Sequence, residues 1–443
     1  MSLFLDRLLS AGAAEASLIR QVLSATGGVQ QRIAAVAGGA AGQRAGFAML
    51  RLARPRLALP INPITCYPAQ GSLLLTRAAD VAEVLAREAD FSVVYEPRMR
   101  KITGGPNFFL GMQDGPEYQQ NMQALRRLVR SDDLERLVLP RVREQTAAVL
   151  AAAVGRLDLP AQLSAHVPAR LVQDYFGLHT APELELIPWA TAMFHYLFSD
   201  LPADTWAEAA AMVGAANTRA ALDAAVANPA HDTLIGRAVA LREAAAADSN
   251  AAADAQAFAG DGIRNNLIGI VIGAIPTLSK AACFALDELL RRPEALASAA
   301  AAAQGGDEAG VAAHVWEALR FNPPNPLVYR RALADCKLGD TPIAKDTMVL
   351  AASLSAMHDE AVVPAPSEFR TDRPWAHYQL WGQGVHLCFG DRINQALLPA
   401  MLMPLLAQPG LRRAAGSAGQ PDGHFDGHDT PFPRHFVLEW NGA

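Results

Sequence analysis

Cys388 is the residue of this chain whose surroundings point most directly to chemistry. It lies in the run Trp381-Gly-Gln-Gly-Val-His-Leu-Cys-Phe-Gly390, where three glycines flank one thiol just before a predicted helix that begins at Asp391. Glycine tolerates positive φ and close backbone approach, so such a loop can wrap tightly around a sulfur. Backbone N–H groups aimed at that sulfur would spread its charge, and the positive end of the following helix would favour the thiolate, the form that ligates metals. His386, two residues earlier, can donate to a carboxylate. A buried structural cysteine in a glycine-rich turn is the competing reading. The other thiols, Cys66, Cys283 and Cys336, are scattered, with no C-x-x-C pair or metal-type spacing. That argues against a zinc site and a secreted disulfide framework, and four separate thiols fit a reducing cytosol.

The cysteine run resembles the haem-binding signature of the cytochrome P-450 family, F-G-x-G-x-H-x-C-x-G, with Trp381 in place of the usual Phe. Three further matches follow in the right order. Glu317-Ala-Leu-Arg320 resembles the E-x-x-R of that family, and its i, i+3 spacing puts both charges on one helix face. Pro366-Ser-Glu-Phe-Arg-Thr-Asp-Arg373 resembles the P-x-x-F-x-x-x-R meander, and His358-Asp359 precedes it as in relatives. Arg373 would complete a buried cluster of one carboxylate and two guanidiniums, an architectural scaffold for the cysteine loop. The matches span 317–390, and weaker similarity extends over nearly the whole chain.

The resemblance implies haem b as cofactor, with Cys388 as proximal ligand in a loop shaped by Gly382, Gly384 and Gly390. It implies that His386 and Arg330 bind the propionates, with Arg331 as the alternative because strand alternation lets only one of the two face the haem. The early helix is less orthodox: Tyr118 stands where relatives often carry His or Trp, and Met122 where they carry Arg. Arg126, one turn further along the same face, becomes the candidate there. Arg127 and Arg130 are read either as part of a basic face for an acidic redox partner or as a solvated basic face. On the distal side, 273–277 (Gly-Ala-Ile-Pro-Thr) corresponds to the family's A-G-x-[D/E]-T. Thr277 falls on the alcohol and Pro276 on the acid that relays protons with it; a register one residue off puts Ile275 and Pro276 there instead, and neither register supplies the carboxylate. Proline also removes a helix hydrogen bond and is expected to kink the helix, opening a groove for oxygen or substrate. Some relatives with proline in this helix are peroxygenases or hydroperoxide-rearranging enzymes. Fatty-acid peroxygenases of the family have Arg before that proline, where this chain has Ile275.

These groups must be positioned by a largely helical scaffold. Strand, helix and strand are predicted over 72–76, 79–87 and 91–94. A helix capped by Asp114, with Pro116 in its first turn, should run to about Arg130. Alanine-rich stretches at 145–153, 207–227 and 238–260 read as helices. The stretch 297–310 reads as a helix leaving through Gly305-Gly306. Short strands are predicted at 328–333, 337–338 and 347–352, an irregular stretch over 364–390, a final helix from Asp391 and a hairpin within 432–440. Residues 1–60 read as a helical lead-in. Phe4, Leu5, Leu8 and Leu9 share one face there, with a packed surface helix preferred over peripheral membrane contact. The opening run is too short, and too interrupted by Asp6 and Arg7, to span a bilayer.

The expected fold class is therefore mostly α with small β-sheets, one large domain over 1–443 in which haem sits between a long distal helix and the loop 381–390. With 51% apolar residues and a formal charge of −6, a large core is available and nucleic acid is not the expected partner. The leading expectation is a cytoplasmic monooxygenase that hydroxylates a small apolar or lipid-like substrate with electrons from a ferredoxin or reductase. Its alternatives are a peroxygenase or fatty-acid-hydroperoxide isomerase or dehydratase, and a non-catalytic haem protein that binds a small ligand. Phe108, Phe109, Met112, Ile272, Ile275, Leu327, Val328, Pro431 and Phe432 are the candidate cavity lining. His424, His428 and His435 lie in an Asp/Gly-rich stretch and read as solvated loop rather than a metal site.

Overall fold

Helical periodicity translates into long helices gathered around one that is mostly apolar and buried on nearly every side. The computed structural model describes residues 39–247, 253–425 and 428–442. The central helix, Gly262–Leu290, is 29 residues long and has twenty-one of them buried. A helix hydrophobic all round must lie in the core of a large protein or in a membrane. This one is long and apolar enough to cross a bilayer, yet it is buried inside the molecule. Its neighbours include Glu183–Phe194 and Glu308–Phe321. In chain order the helices that matter for the site are α1 (Pro116–Leu128), α2 (Glu183–Phe194), α3 (Thr205–Ala227), α4 (Gly262–Leu290), α5 (Glu308–Phe321) and α6 (Asp391–Leu406). Asn266 of α4 donates to Asn121 of α1 at 2.7 Å, a buried amide pair that sets their register. Gly269 lets Phe108 lie against α4: a Cβ there would stand 2.4 Å from the ring.

One five-stranded sheet flanks the helices, with strands β1 (Arg56–Leu59), β2 (Ser72–Leu75), β3 (Phe91–Ser92), β4 (Val328–Ala332) and β5 (Met348–Ala351) in the order β1-β2-β5-β4-β3. Only β2 and β5 run parallel. The fold class is thus mostly α with small sheets, as the sequence indicates.

Several local expectations change. The N-cap of α1 is Gly115; Asp114 instead accepts a bond from the Gln119 side chain at 2.7 Å. That helix ends at Leu128, and β3 stops at Ser92 because the Gln113 side chain, not a strand, takes the Val93 N–H and C=O. Helix Leu234–Ala247 is followed, within the predicted 238–260 helix, by the separate turn Ala253–Phe258. Of the lead-in, Ala40–Ala53 is helical but Arg56–Leu59 is a strand, and the apolar face at Phe4 to Leu9 falls outside the described residues. The hairpin predicted within 432–440 is a single strand, Val437–Glu439, which pairs with Arg156–Asp158 and Arg412–Arg413. Alternating apolar residues specify a strand but not its partner, and here the partners are distant in sequence.

Candidate functional site

The cysteine loop closes on itself and then docks on the helix core. Cys388 N–H donates to Trp381 C=O at 3.0 Å, and α6 starts three residues later, so the thiol stands at the mouth of that helix. Gly382 and Gly384 both adopt positive φ, at 74° and 72°. A Cβ on Gly384 would also meet Leu85 C=O at 2.5 Å, so two separate constraints require glycine there. Gly390 differs from expectation: its φ is −87°, and its contribution is to bring backbone close beside the thiol. Trp381 stacks on Trp375 at 5.3 Å and meets Trp316 edge-on, which explains how a larger ring is held at the usual Phe position.

Cys388 opens into an interior cavity of about 310 Å³. Walls of protein surround that cavity, and burial pushes the thiol up to about 11, with the Gly390 N–H opposing and Asp391 adding to the rise. The expected thiolate-favouring helix end is therefore not enough on its own; a bound cation would supply the missing stabilisation. The same cavity is lined by Gly273, Ala274 and Thr277 of α4, by Phe109, Phe194 and Phe198, and by Leu327 and Val328. Among the described residues, no aspartate or glutamate lines it. Phe108, Met112 and Ile272, expected in the lining, pack elsewhere in the core, and Ile275 and Phe432 line a different cavity.

Arg330 is 3% exposed, lines the cavity, and keeps its Nε without a hydrogen-bond partner; Arg331 on the next position of β4 does not line it. A buried guanidinium with an unfilled donor beside an apolar cavity fits an anionic ligand group such as a propionate. His386 also lines the cavity, but its ring is engaged: Nδ1 lies 3.0 Å from Glu88 Oε1 and Nε2 2.9 Å from Met112 C=O. Glu88 is the residue sequence reasoning missed. It stands 3.9 Å from Arg330, and its second oxygen is buried without a partner. In sequence it looks like an ordinary charge after a surface helix, and no local signal could have found it.

Tyr118 and Arg126 are placed differently from expectation. The Tyr118 hydroxyl donates to Val385 C=O at 2.5 Å, tying α1 to the cysteine loop, and burial raises its pKa to about 12. Arg126 is exposed and does not line the cavity, because the turn that would carry it inward belongs to the solvent face of α1. Arg130 is bound to Asp232 at 2.7 Å, so it is part of an ion network rather than a free basic face. His424, His428 and His435 each face a separate acid, Asp429, Asp204 and Asp158 respectively.

On α4, residues 273, 274 and 277 share one face and 275, 276, 279 and 280 the adjacent one, as a 3.6-residue period requires. Thr277 therefore faces the thiol's cavity, its hydroxyl donating to Gly273 C=O. Pro276 faces a second cavity on the other side of the helix. The groove expected from this proline would therefore open on that second cavity rather than beside the thiol.

Behind the loop, Glu317 and Arg320 are fully buried and paired. Glu317 accepts from Arg320, from Arg373 Nε at 3.1 Å, from Arg370 N–H at 2.9 Å and from Tyr378 at 3.2 Å. Arg320 spends its remaining donors on the carbonyls of Met357, Pro366 and Glu368. The meander is thus stitched to α5, as expected.

The model of the cytochrome P450 family matches residues 311–408, which hold this cluster and the cysteine loop. The erythromycin C-12 hydroxylase of Saccharopolyspora erythraea is 28% identical over 328 residues, 71% of this chain and 76% of that one. The linoleate diol synthase of Gaeumannomyces graminis is 41% identical over 78 residues, 18% of this chain but only 7% of that protein. In fold, the cytochrome P450 CYP109Q5 from Chondromyces apiculatus superposes with a TM-score of 0.71 at 20% identity, covering 90% of this chain and 96% of the other. The chain thus carries the cytochrome P450 family match over the segment that holds the buried cluster and the cysteine loop, and the cytochrome P450 fold over 90% of its length; the cofactor of that family is haem b.

Proposed function

We propose that this chain is a haem-thiolate monooxygenase that hydroxylates a small apolar organic substrate with O2 and electrons from a separate ferredoxin-type partner. The observation that carries the reading is a single cavity with the Cys388 thiol on one wall, the Thr277 hydroxyl on another and apolar side chains between them. Haem bound there would supply the oxidising chemistry, and the Cys388 sulfur would hold its iron. The residues of the chain have separate tasks. The loop 381–390 holds the sulfur. Arg330 would pair a propionate. Phe109, Phe194, Phe198 and Val328 exclude water and enclose the substrate body, and Thr277 Oγ1 holds a proton within the cavity. Four unpaired cysteines support a cytosolic setting, and we read 1–443 as one domain.

The lack of any carboxylate in the cavity favours a second reading, a peroxygenase or hydroperoxide isomerase, because proton delivery to O2 is then poorly served. Stopped-flow mixing of the ferric protein with hydrogen peroxide or a fatty-acid hydroperoxide separates the two. Turnover without reductant selects the second reading; strict dependence on NAD(P)H and redox partners selects the first. No turnover of either kind selects a ligand-binding haem protein.

Two variants test the residue roles. Arg330→Ala removes one charge-assisted hydrogen bond, about 1.5–3 kcal/mol, so haem affinity should fall roughly 10- to 100-fold in an apomyoglobin transfer assay. An unchanged transfer rate would remove Arg330 from the propionate site. Thr277→Val keeps shape but removes the hydroxyl. Product formed per electron consumed should drop by about 10²-fold or less, the low end for a proton-transfer group. If peroxide-driven turnover is unaffected by the same change, the hydroxyl serves proton delivery to O2.

A further inference from the structure

Behind Pro276, on the face of α4 turned away from Cys388, lies a second cavity of about 270 Å³. It is walled by α2 (Ile187, Pro188), by Trp206 and Ala207 of α3, and by the C-terminal segment at Phe432. Leu184, 74% exposed, stands at its rim, so the cavity can be reached from outside.

Its one anomalous feature is Lys280. This side chain is 6% exposed and has no hydrogen-bond or ion-pair partner among the described residues. A buried ammonium without a counter-ion costs several kcal/mol, and such groups are normally paired. Every acid near the cavity is already committed. Glu183 is held by His166 and Arg170, Asp158 by His435 and the Phe436 N–H, Asp200 by Arg98, and Asp204 by the Trp206 N–H and His428. Pro276, one turn before Lys280 on the same face, is where a helix would place a paired acid, and proline offers none. The Nζ lies 5.3 Å and 5.1 Å from the ring centroids of Phe284 and Phe432, which favour a cation without neutralising it. His195 lines the same space with its Nδ1 buried and unpartnered.

We propose that this second cavity is a binding site for a small organic acid, its carboxylate paired with Lys280 and its apolar body lying against Ile187, Pro188 and Phe432. A carboxylate supplies what the site lacks, and the remaining walls are apolar. A neutral molecule would leave the lysine uncompensated, and a dianion would bring more charge than the site can pair. Burial draws Lys280 down to about 7 from 10.5, so a bound anion would also restore its proton. The other titratable groups facing this space are His195, His166 with Glu183, His435 with Asp158, and Arg434.

The test uses the haem-loaded protein with the Cys388 cavity blocked by 4-phenylimidazole, whose binding is read from the Soret band. Sodium octanoate is then titrated by calorimetry. The wild type should bind it, Lys280→Met should bind it at least 10-fold more weakly, and 1-octanol should not distinguish the two. Pro276→Glu, which places an internal carboxylate beside Lys280, should abolish octanoate binding. Equal octanoate affinity in wild type and Lys280→Met, or no binding to the wild type, overturns the proposal. A missing Soret shift with the azole would instead overturn the haem reading, leaving the octanoate comparison valid. A second measurement does not depend on calorimetry. Between pH 7 and 10 an unfolded chain holds a proton on Lys280 that the folded chain has released, so folding stability should rise with pH relative to Lys280→Met. Saturating octanoate should flatten that difference, since the bound anion keeps the lysine protonated. A difference that is flat without octanoate, or unchanged with it, overturns the proposal as well.

Discussion

Replacing Glu317 with Ala should cost about 3–5 kcal/mol of folding stability, the range for breaking a buried ion pair from one side. The carboxylate is 0% exposed and serves Arg320, Arg373, the Arg370 N–H and the Tyr378 hydroxyl together. Without it, Arg320 remains fully buried with only carbonyl partners, and Arg373 loses its one acid partner among the described residues. Burial already lowers the Arg320 pKa, a direction that reports how dearly this cation is held. Glu317→Gln should recover only part of the loss, because the amide keeps some acceptor capacity but no charge. Chemical denaturation of the three proteins, read by far-UV circular dichroism, gives the comparison. A loss below about 1 kcal/mol would mean the cluster is dispensable, and its matching order along the chain incidental.

The second large effect is chemical. Cys388→Ser should abolish the thiolate-type Soret band of the reduced carbon monoxide complex and, with it, turnover. A serine hydroxyl has the shape of the thiol but will not supply a soft anionic ligand. Folding should change little, by less than about 1 kcal/mol, because the sulfur faces a cavity and touches few packed groups. That contrast is diagnostic: Glu317→Ala unfolds the scaffold, whereas Cys388→Ser leaves it standing without its ligand. Survival of the thiolate-type band in the serine variant would assign the ligand to another residue.

The two halves of the site differ in how far they can be read from the chain. The cysteine loop, the Glu317 cluster and Arg330 are legible because each rests on a local constraint. Gly384 needs positive φ and a close carbonyl; Glu317 and Arg320 need only i, i+3 spacing on a helix; strand alternation lets only Arg330 of the two arginines face inward. Tyr118 and Arg126 lie outside the cavity lining, since helix periodicity says which residues share a face, not which face turns inward. His386 lines the cavity as expected, but its partner Glu88 lies 298 residues away and carries no local signature. Pro276 stands where the resemblance expects an acid, but the direction in which it faces needs the rotation of α4 against α2 and the C-terminal segment.

By itself, then, the sequence determined the helical class, the haem-type cysteine loop, the charge cluster behind it and the loss of an acid before Thr277. Those features depend on contacts within a few residues, on helix and strand period, or on residue types that tolerate a given φ. Only the tertiary structure decided that Thr277 and Pro276 look into different cavities, that Glu88 occupies His386, and that Lys280 stands buried without a counter-ion. Burial and partnership are properties of packing between elements far apart in the chain, and the period of a single helix carries no information about what is packed against it.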